Sequence, residues 1–256
     1  MSLEPSNERA RVMITVKASP EIGRTHGETV CVAGIRDDVD APRWIRLFPV
    51  QWQWFWGGGH PKYQVIDIDV RKHEGDQRPE SHRPLLDTAE VVREKSSATQ
   101  RSAVVNRLPQ YAMCDLVAAK GWERPSLGLV VPRSIDDFTW DDQSSDPAQA
   151  RKMMQASQGS LLAQDAPTLE FCPFVFRFRY HCLSPTCRGH RQTIVDWEIS
   201  EASVAEYVPR RLPRPHQVEV DGPRRGQAPA RFLRWKPAPG AAGLSRPWRR
   251  GGSHTG

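Results

Sequence analysis

A chain of 256 residues can bury one large core or two small ones, so length excludes little. Its net charge of +6 misleads as a bulk figure, because residues 209–256 carry eleven Lys and Arg against two acids while the rest carries 25 against 28. No apolar run approaches the roughly 18 residues that would cross a bilayer, and five unevenly spaced cysteines (Cys31, Cys114, Cys172, Cys182, Cys187) suit a reducing cytoplasm better than a disulfide framework, so no membrane partner is expected.

Residues 1–10 are polar, lack a signal-peptide core and are expected to be disordered. "RVMITVKAS" then alternates Val12, Ile14 and Val16 with charged or small neighbours, and "ETVCVAGI", "PRWIRLFPV" and "YQVIDIDVRK" follow across short Gly-, Pro- and Asp-bearing turns. Four strands so connected suit a twisted antiparallel sheet closing into a small barrel, here assigned to residues 11–140. Near 87–120 the pattern turns helical, with Val91, Val92, Val104, Val105 and Leu108 as apolar positions, which predicts two short inserted helices. "SLGLVVP" predicts a buried strand that "SIDDFTWDD" extends.

Residues 141–167 are polar and rich in small side chains, a linker with one helix expected near Ala148–Ala156. A second unit, 168–208, opens on "LEFCPFVFRFRYHC", where Cys172, Phe174, Phe176, Phe178, Tyr180 and Cys182 share one strand face and Val175, Arg177, Arg179 and His181 the other. "RQTIVDWEI" is its expected return strand, and "SEASVAEYV" a short helix. Residues 209–256 hold eight prolines and seven glycines without apolar periodicity, the composition of a basic disordered tail. The fold class expected is mainly β with short helices (α+β).

Several collinear stretches carry a resemblance: "GETVCVAGI", "RWIRLFPV", "KYQVIDIDVRK" followed by "DQRPESHRP", "SLGLVVP", and "FRFRYHC" with "GH" and "DWE". Over roughly residues 11–200 the chain resembles a family of uncharacterised bacterial proteins containing dual OB domains. The resemblance implies two small OB-like barrels, the first interrupted by helices. It leaves open whether the second closes, because similar proteins finish it with aromatic strands and an aliphatic end that this chain lacks.

Three candidate sites stand out. Cys182, Cys187 and His190 can meet at a turn folded by Pro185 and Gly189, the ligand types of a structural zinc, with His181 swung round or a residue from elsewhere as the fourth. Cys172 is excluded, lying ~33 Å up an extended strand. Left three-coordinate, the centre would instead be catalytic, with Asp196 or Glu198 as base. Unligated thiols packed beside a hairpin turn are the plainer alternative. In "QWQWFWGGGHPKY", Trp52, Trp54 and Trp56 fall on one face of an extended segment, with Lys62 and Tyr63 behind, a set that stacks on single-stranded bases or simply fills a core. Arg177 and Arg179 add candidate phosphate contacts. Asp67 and Asp69 share one strand face beside further acids and bases, as in a metal-dependent phosphodiesterase, although alternating charge also marks any half-solvated strand.

The function expected is therefore non-catalytic binding of DNA or RNA, single-stranded by preference, with the tail adding salt-sensitive affinity. A metal-dependent nuclease using Asp67 and Asp69, and a protein-interaction subunit without nucleic-acid contact, are the alternatives.

Overall fold

The computed structural model of the chain describes residues 6–23, 27–76, 78–119, 125–143 and 172–207. The tail expected at 209–256, nearly all of the linker and its helix near Ala148–Ala156 lie outside the described residues.

Strand β1 (Glu8–Lys17) begins inside the stretch expected to be disordered. It turns Ala10, Val12 and Ile14 inward, where they meet Val30 and Val32 of β3 (Gly27–Arg36), Ile45 and Leu47 of β4 (Arg43–Gln51) and Ile66 and Ile68 of β5 (Val65–Lys72). A period of two sends β-branched side chains to one face of each strand, and burying them removes ~1.5–3 kcal/mol of unfavourable hydration per residue. β2 (Glu21–Gly23) is a short hairpin partner of β3, and β6 (Ser81–Arg93) completes the sheet.

Pairings run β1–β5–β6–β4–β3 and return to β1, so five strands close into a ring. Closure is narrow. β4 meets β6 in parallel through Arg46↔Ser81 and Leu47↔His82 alone, so the ring stops short of a full barrel. Gly34 is required where β3 crosses β1, because a Cβ there would stand 2.4 Å from Val12 Cγ1 and 3.0 Å from the Met13 carbonyl oxygen.

The helical expectation for 87–120 is half corrected. Residues 87–93 continue β6, pairing Glu90 with Asp67 and Val91 with Ile66, and the adjacent Val91 and Val92 are exposed strand residues. Helix α1 (Ala98–Val105) starts at a capping box in which the Ser97 hydroxyl accepts the Gln100 N–H and the Gln100 side chain accepts the Ser97 N–H. It lays Val105, with Leu108, over Met13, Ile35 and Val65 on the outer face of the ring, Trp44 packing at the margin.

Residues 52–58, expected to be extended, form a 3-10 helix. Three residues per turn place Trp52 and Phe55 together in the ring core, with Trp54 half-buried against the same cluster, so Trp52 and Trp54 pack against the ring core instead of presenting an open stacking face.

The second unit contains β7 (Gln110–Tyr111), α2 (Met113–Ala118), β8 (Leu129–Val130), β9 (Pro132–Asp142), β10 (Phe174–Cys182), β11 (His190–Thr193) and α3 (Trp197–Tyr207). β9, expected to end the first unit, pairs instead with β10 in a β9–β10–β11 sheet. The alternation of β10 holds: Phe174, Phe176, Tyr180 and Cys182 are buried, and Arg179 is exposed. Phe138, Phe174 and Phe176 form the core of this sheet, with Ile199 of α3 against them.

The return strand is shorter than expected. Trp197 already begins α3, and Asp196 forms an isolated antiparallel bridge with Ala18 of the first unit. The Trp197 ring then meets Trp52 edge-on, centroids 4.1 Å apart.

Candidate functional site

Cys182 ends β10, Cys187 sits in the following turn and His190 opens β11, so the hairpin gathers three of the expected ligands. The fourth is Cys114, at the second position of α2. The ligand atoms of Cys114, Cys182, Cys187 and His190 all lie within 4.8 Å of one another. Cys114 Sγ is 3.6 Å from Cys182 Sγ and 3.4 Å from His190 Nε2.

The turn is shaped for this cluster. Gly189 takes φ +94°, a conformation that suits glycine, and the backbone N–H groups of Cys182 and Gly189 each donate to Cys187 Sγ at 3.4 Å. Burial opposes ionisation of Cys182, but the backbone N–H groups of Cys114 and Ser184 and the His190 and Cys187 side chains aim at its sulfur and hold its pKa down to about 5. Its hydrogen bond to Cys182, then burial and Cys187, hold Cys114 up at about 11. Tyr180, beside His190, is pushed up to about 12, chiefly by burial, and its hydroxyl donates to Gln192 Oε1. Three sulfurs and one imidazole nitrogen converging this closely can hold a metal ion.

His181 lies outside this group of four. The strand alternation points it to the opposite face, where Nδ1 lies 2.9 Å from the Asp136 carboxylate. Cys172 sits at the far end of β10, its sulfur 3.1 Å from Ser203 Oγ.

Trp52 and Trp54 are committed to packing. Trp52 is 6 % exposed against Trp197, and Trp54 stacks on His60 with centroids 3.8 Å apart. Trp56 lies in the 3-10 helix. Tyr63 carries the Arg101 guanidinium over its ring at 4.1 Å.

Lys62 pairs with Asp196 and lies 3.8 Å from Glu198; burial opposes its charge, but these carboxylates outweigh it and raise its pKa. Lys17, buried between the rings of Phe55 and Trp197, is pushed down by burial, which Glu198 at 3.8 Å only partly offsets.

Asp67 and Asp69 are ion-paired across the strands. Arg11 holds Asp67 through two hydrogen bonds of 2.8 Å, and Arg9 holds Asp69 at 3.1 Å. Arg177 pairs with Asp141, while Arg179 is exposed directly opposite Arg191.

Sequence reading passed over a second face. On β4, Ile45 and Leu47 point into the core, so Arg46 and Phe48 point out, beside Cys31 of β3. α1 covers this outer face at Ile35 and Trp44, beyond the end where Phe48 lies. There the Phe48 ring stacks on His73 with centroids 6.2 Å apart, and the Arg46 guanidinium sits 5.2 Å from the Phe48 centroid. Asp76 ties the group together, accepting from Arg46 at 2.5 Å, from Arg78 at 2.7 and 2.6 Å and from the Ser81 hydroxyl at 2.7 Å. These bonds, Arg78 foremost, hold its carboxyl well below the usual carboxylate range. Arg46 and Arg78 on Asp76, with Glu80 also near Arg78, set two guanidinium groups beside two aromatic rings.

Residues 8–107 match the family model of a domain of unknown function (DUF8758), and residues 109–211 match that of a second (DUF8757). The junction falls between α1 and α2, ahead of β9, so β9 and β10 belong to the same matched domain. No curated protein matches the chain. Among the described residues no helix is long and apolar enough to cross a membrane.

Proposed function

We propose that the chain is a non-catalytic nucleic-acid-binding protein whose first unit is an OB fold and whose second unit is stapled by a structural zinc ion. The ring order and the parallel β4–β6 closure support the OB assignment, since that fold is a five-stranded, partly open Greek-key barrel that binds oligonucleotides on the face of its second and third strands. Those strands here are β3 and β4. The observation that carries the function is the Phe48–His73 stack flanked by Arg46 and Arg78 on that face. Every base presents a π-face to an aromatic ring, and guanidinium groups beside it contact the phosphates, which favours single strands without sequence choice. Exposed Arg179, opposite Arg191, adds phosphate contacts, and the basic tail adds salt-sensitive affinity.

Zinc fits the donor set. A tetrahedral ion with bonds of about 2.3 Å to sulfur and 2.0–2.1 Å to nitrogen separates its ligands by ~3.6–3.8 Å, and the observed 3.6 and 3.4 Å agree. Three thiolates and one imidazole suit a soft ion, and four protein ligands leave no open position for a reacting water, so the ion would hold α2 against the hairpin. The nuclease alternative gains no support, because Asp67 and Asp69 are each engaged by an arginine.

The test is fluorescence anisotropy with a labelled single-stranded oligonucleotide at several salt concentrations, comparing the full chain with Phe48→Ala. Loss of a stacking contact of ~1–3 kcal/mol weakens binding about 5- to 150-fold while leaving the salt slope unchanged. Equal affinity of the two proteins at every salt would leave tail electrostatics as the whole of binding; no binding by either would favour a protein partner.

A further inference from the structure

We infer that the metal occupancy of the Cys114–Cys182–Cys187–His190 centre controls whether α3 stays docked on the first unit, which makes the ion a remote latch on the contacts of Asp196 and Glu198 with Lys17 and Lys62. The inference rests on reading that centre as a zinc site.

The coupling runs along one short stretch of chain. His190, a ligand, is the first residue of β11, and β11 is a four-residue edge strand with one partner and mostly exposed side chains. Beyond it, the Ile194 N–H donates to the Phe176 carbonyl at 2.9 Å, and the Val195 carbonyl accepts the Ser19 N–H at 2.9 Å. Asp196 bridges Ala18 and pairs with Lys62, and Trp197 then packs on Trp52. The segment from His190 to Trp197 is therefore anchored at one end by the Cys/His cluster and at the other by the first unit.

So short and exposed an edge strand has little burial of its own to hold it. What fixes its start is the closed turn, and three sulfurs facing one another without an ion favour reopening of that turn. Fraying of β11 leaves only the Ala18–Asp196 bridge, the Ser19–Val195 hydrogen bond and the Trp52–Trp197 contact to hold the start of α3 on the first unit, and their loosening separates Asp196 and Glu198 from Lys17 and Lys62 and opens both lysines to water.

Amine acylation read by mass spectrometry tests this on the full zinc-loaded chain before and after chelation, with released zinc quantified in parallel. Chelation is expected to raise acylation of Lys17 and Lys62 by about tenfold or more, while exposed Lys95 stays constant and the amides of Ile14 and Ile66 keep their protection against hydrogen exchange. Asp196→Asn, which keeps the ligands, is expected to raise Lys62 acylation without loss of zinc. Release of one equivalent of zinc with no change at Lys17 and Lys62 overturns the latch and leaves the zinc site standing. Loss of Ile14 and Ile66 protection together with the lysines overturns it too, as global unfolding. A chain that neither holds nor takes up zinc removes site and latch together.

Discussion

Replacing Cys114 with Ser takes one of four ligands from the proposed centre while barely changing side-chain size at the start of α2. A hydroxyl is a poor partner for a soft ion, and the three ligands that remain, Cys182, Cys187 and His190, all belong to one hairpin. The zinc then no longer ties α2 to the sheet. With free zinc buffered at ~100 times the wild-type Kd, binding stabilises the folded chain by about 2.7 kcal/mol. A variant whose Kd is ~1,000-fold weaker gains under ~0.1 kcal/mol at the same free zinc. At ~2–4 °C per kcal/mol for a protein of this size, the midpoint should fall by about 5–10 °C. Thermal unfolding by circular dichroism in zinc buffer measures it, with chelated wild type as the reference that the variant should overlay. His181→Ala is the paired control: its imidazole serves Asp136, so zinc affinity should stay at the wild-type value. A Cys114→Ser protein that melts with zinc-loaded wild type, or a His181→Ala protein that loses zinc, would refute the ligand assignment.

Phe48→Ala should weaken oligonucleotide binding with little change in stability, whereas Trp52→Ala, which empties a core position, should cost ~3–5 kcal/mol in chemical denaturation and affect binding only through folding. Asp76→Asn bears on pH: the wild-type carboxyl is depressed in the folded state, so its contribution is complete above the ordinary carboxylate pKa of ~4 and fades as pH falls below it. Urea midpoints of the variant should therefore be lower at neutral pH and converge with wild type on acidification; a gap that persists below that range would contradict the linkage. Gly34→Ala should destabilise the ring by ~1–3 kcal/mol in urea denaturation, since its methyl would press on Val12 and the Met13 carbonyl, neither able to move freely within β1; an unchanged midpoint would mean the strands can part there.

How much of this was legible in sequence depended on whether the signal was local. β1, β3, β4 and β5 followed from alternation because each buries one face, and β10 announced both its faces for the same reason. β6 misled because its last residues lie beyond the covered part of the sheet: Val91 and Val92 are adjacent and exposed, so no period of two marked them as strand. The tryptophan segment misled because it is a 3-10 helix that packs Trp52 and Trp54 onto the ring core instead of an extended stretch, and nothing in "QWQWFWGGG" distinguishes the two. Cys182, Cys187 and His190 were visible because one turn carries them. Cys114 was not, since 68 residues separate it from Cys182; its one hint was a cysteine left over in "YAMCDLV". The Phe48–His73 face was equally hidden, assembled from β4 and the residues after β5, which only the ring brings together.

The narrow closure of the ring has a mechanical meaning. Antiparallel ladders join β5 and β6 to the rest through β1, but the last edge holds by two residue pairs, and Asp76 clamps Arg46 to Ser81 across it. Such a junction is the narrowest of the ring, the place where that sheet would gape first under load or thermal agitation. The proposed binding face lies on that same junction, with Arg46 belonging to both. A strand of nucleic acid stacked on Phe48 and gripped by Arg46 and Arg78 would act as a clasp, so that engaging a ligand and tightening the ring become a single event.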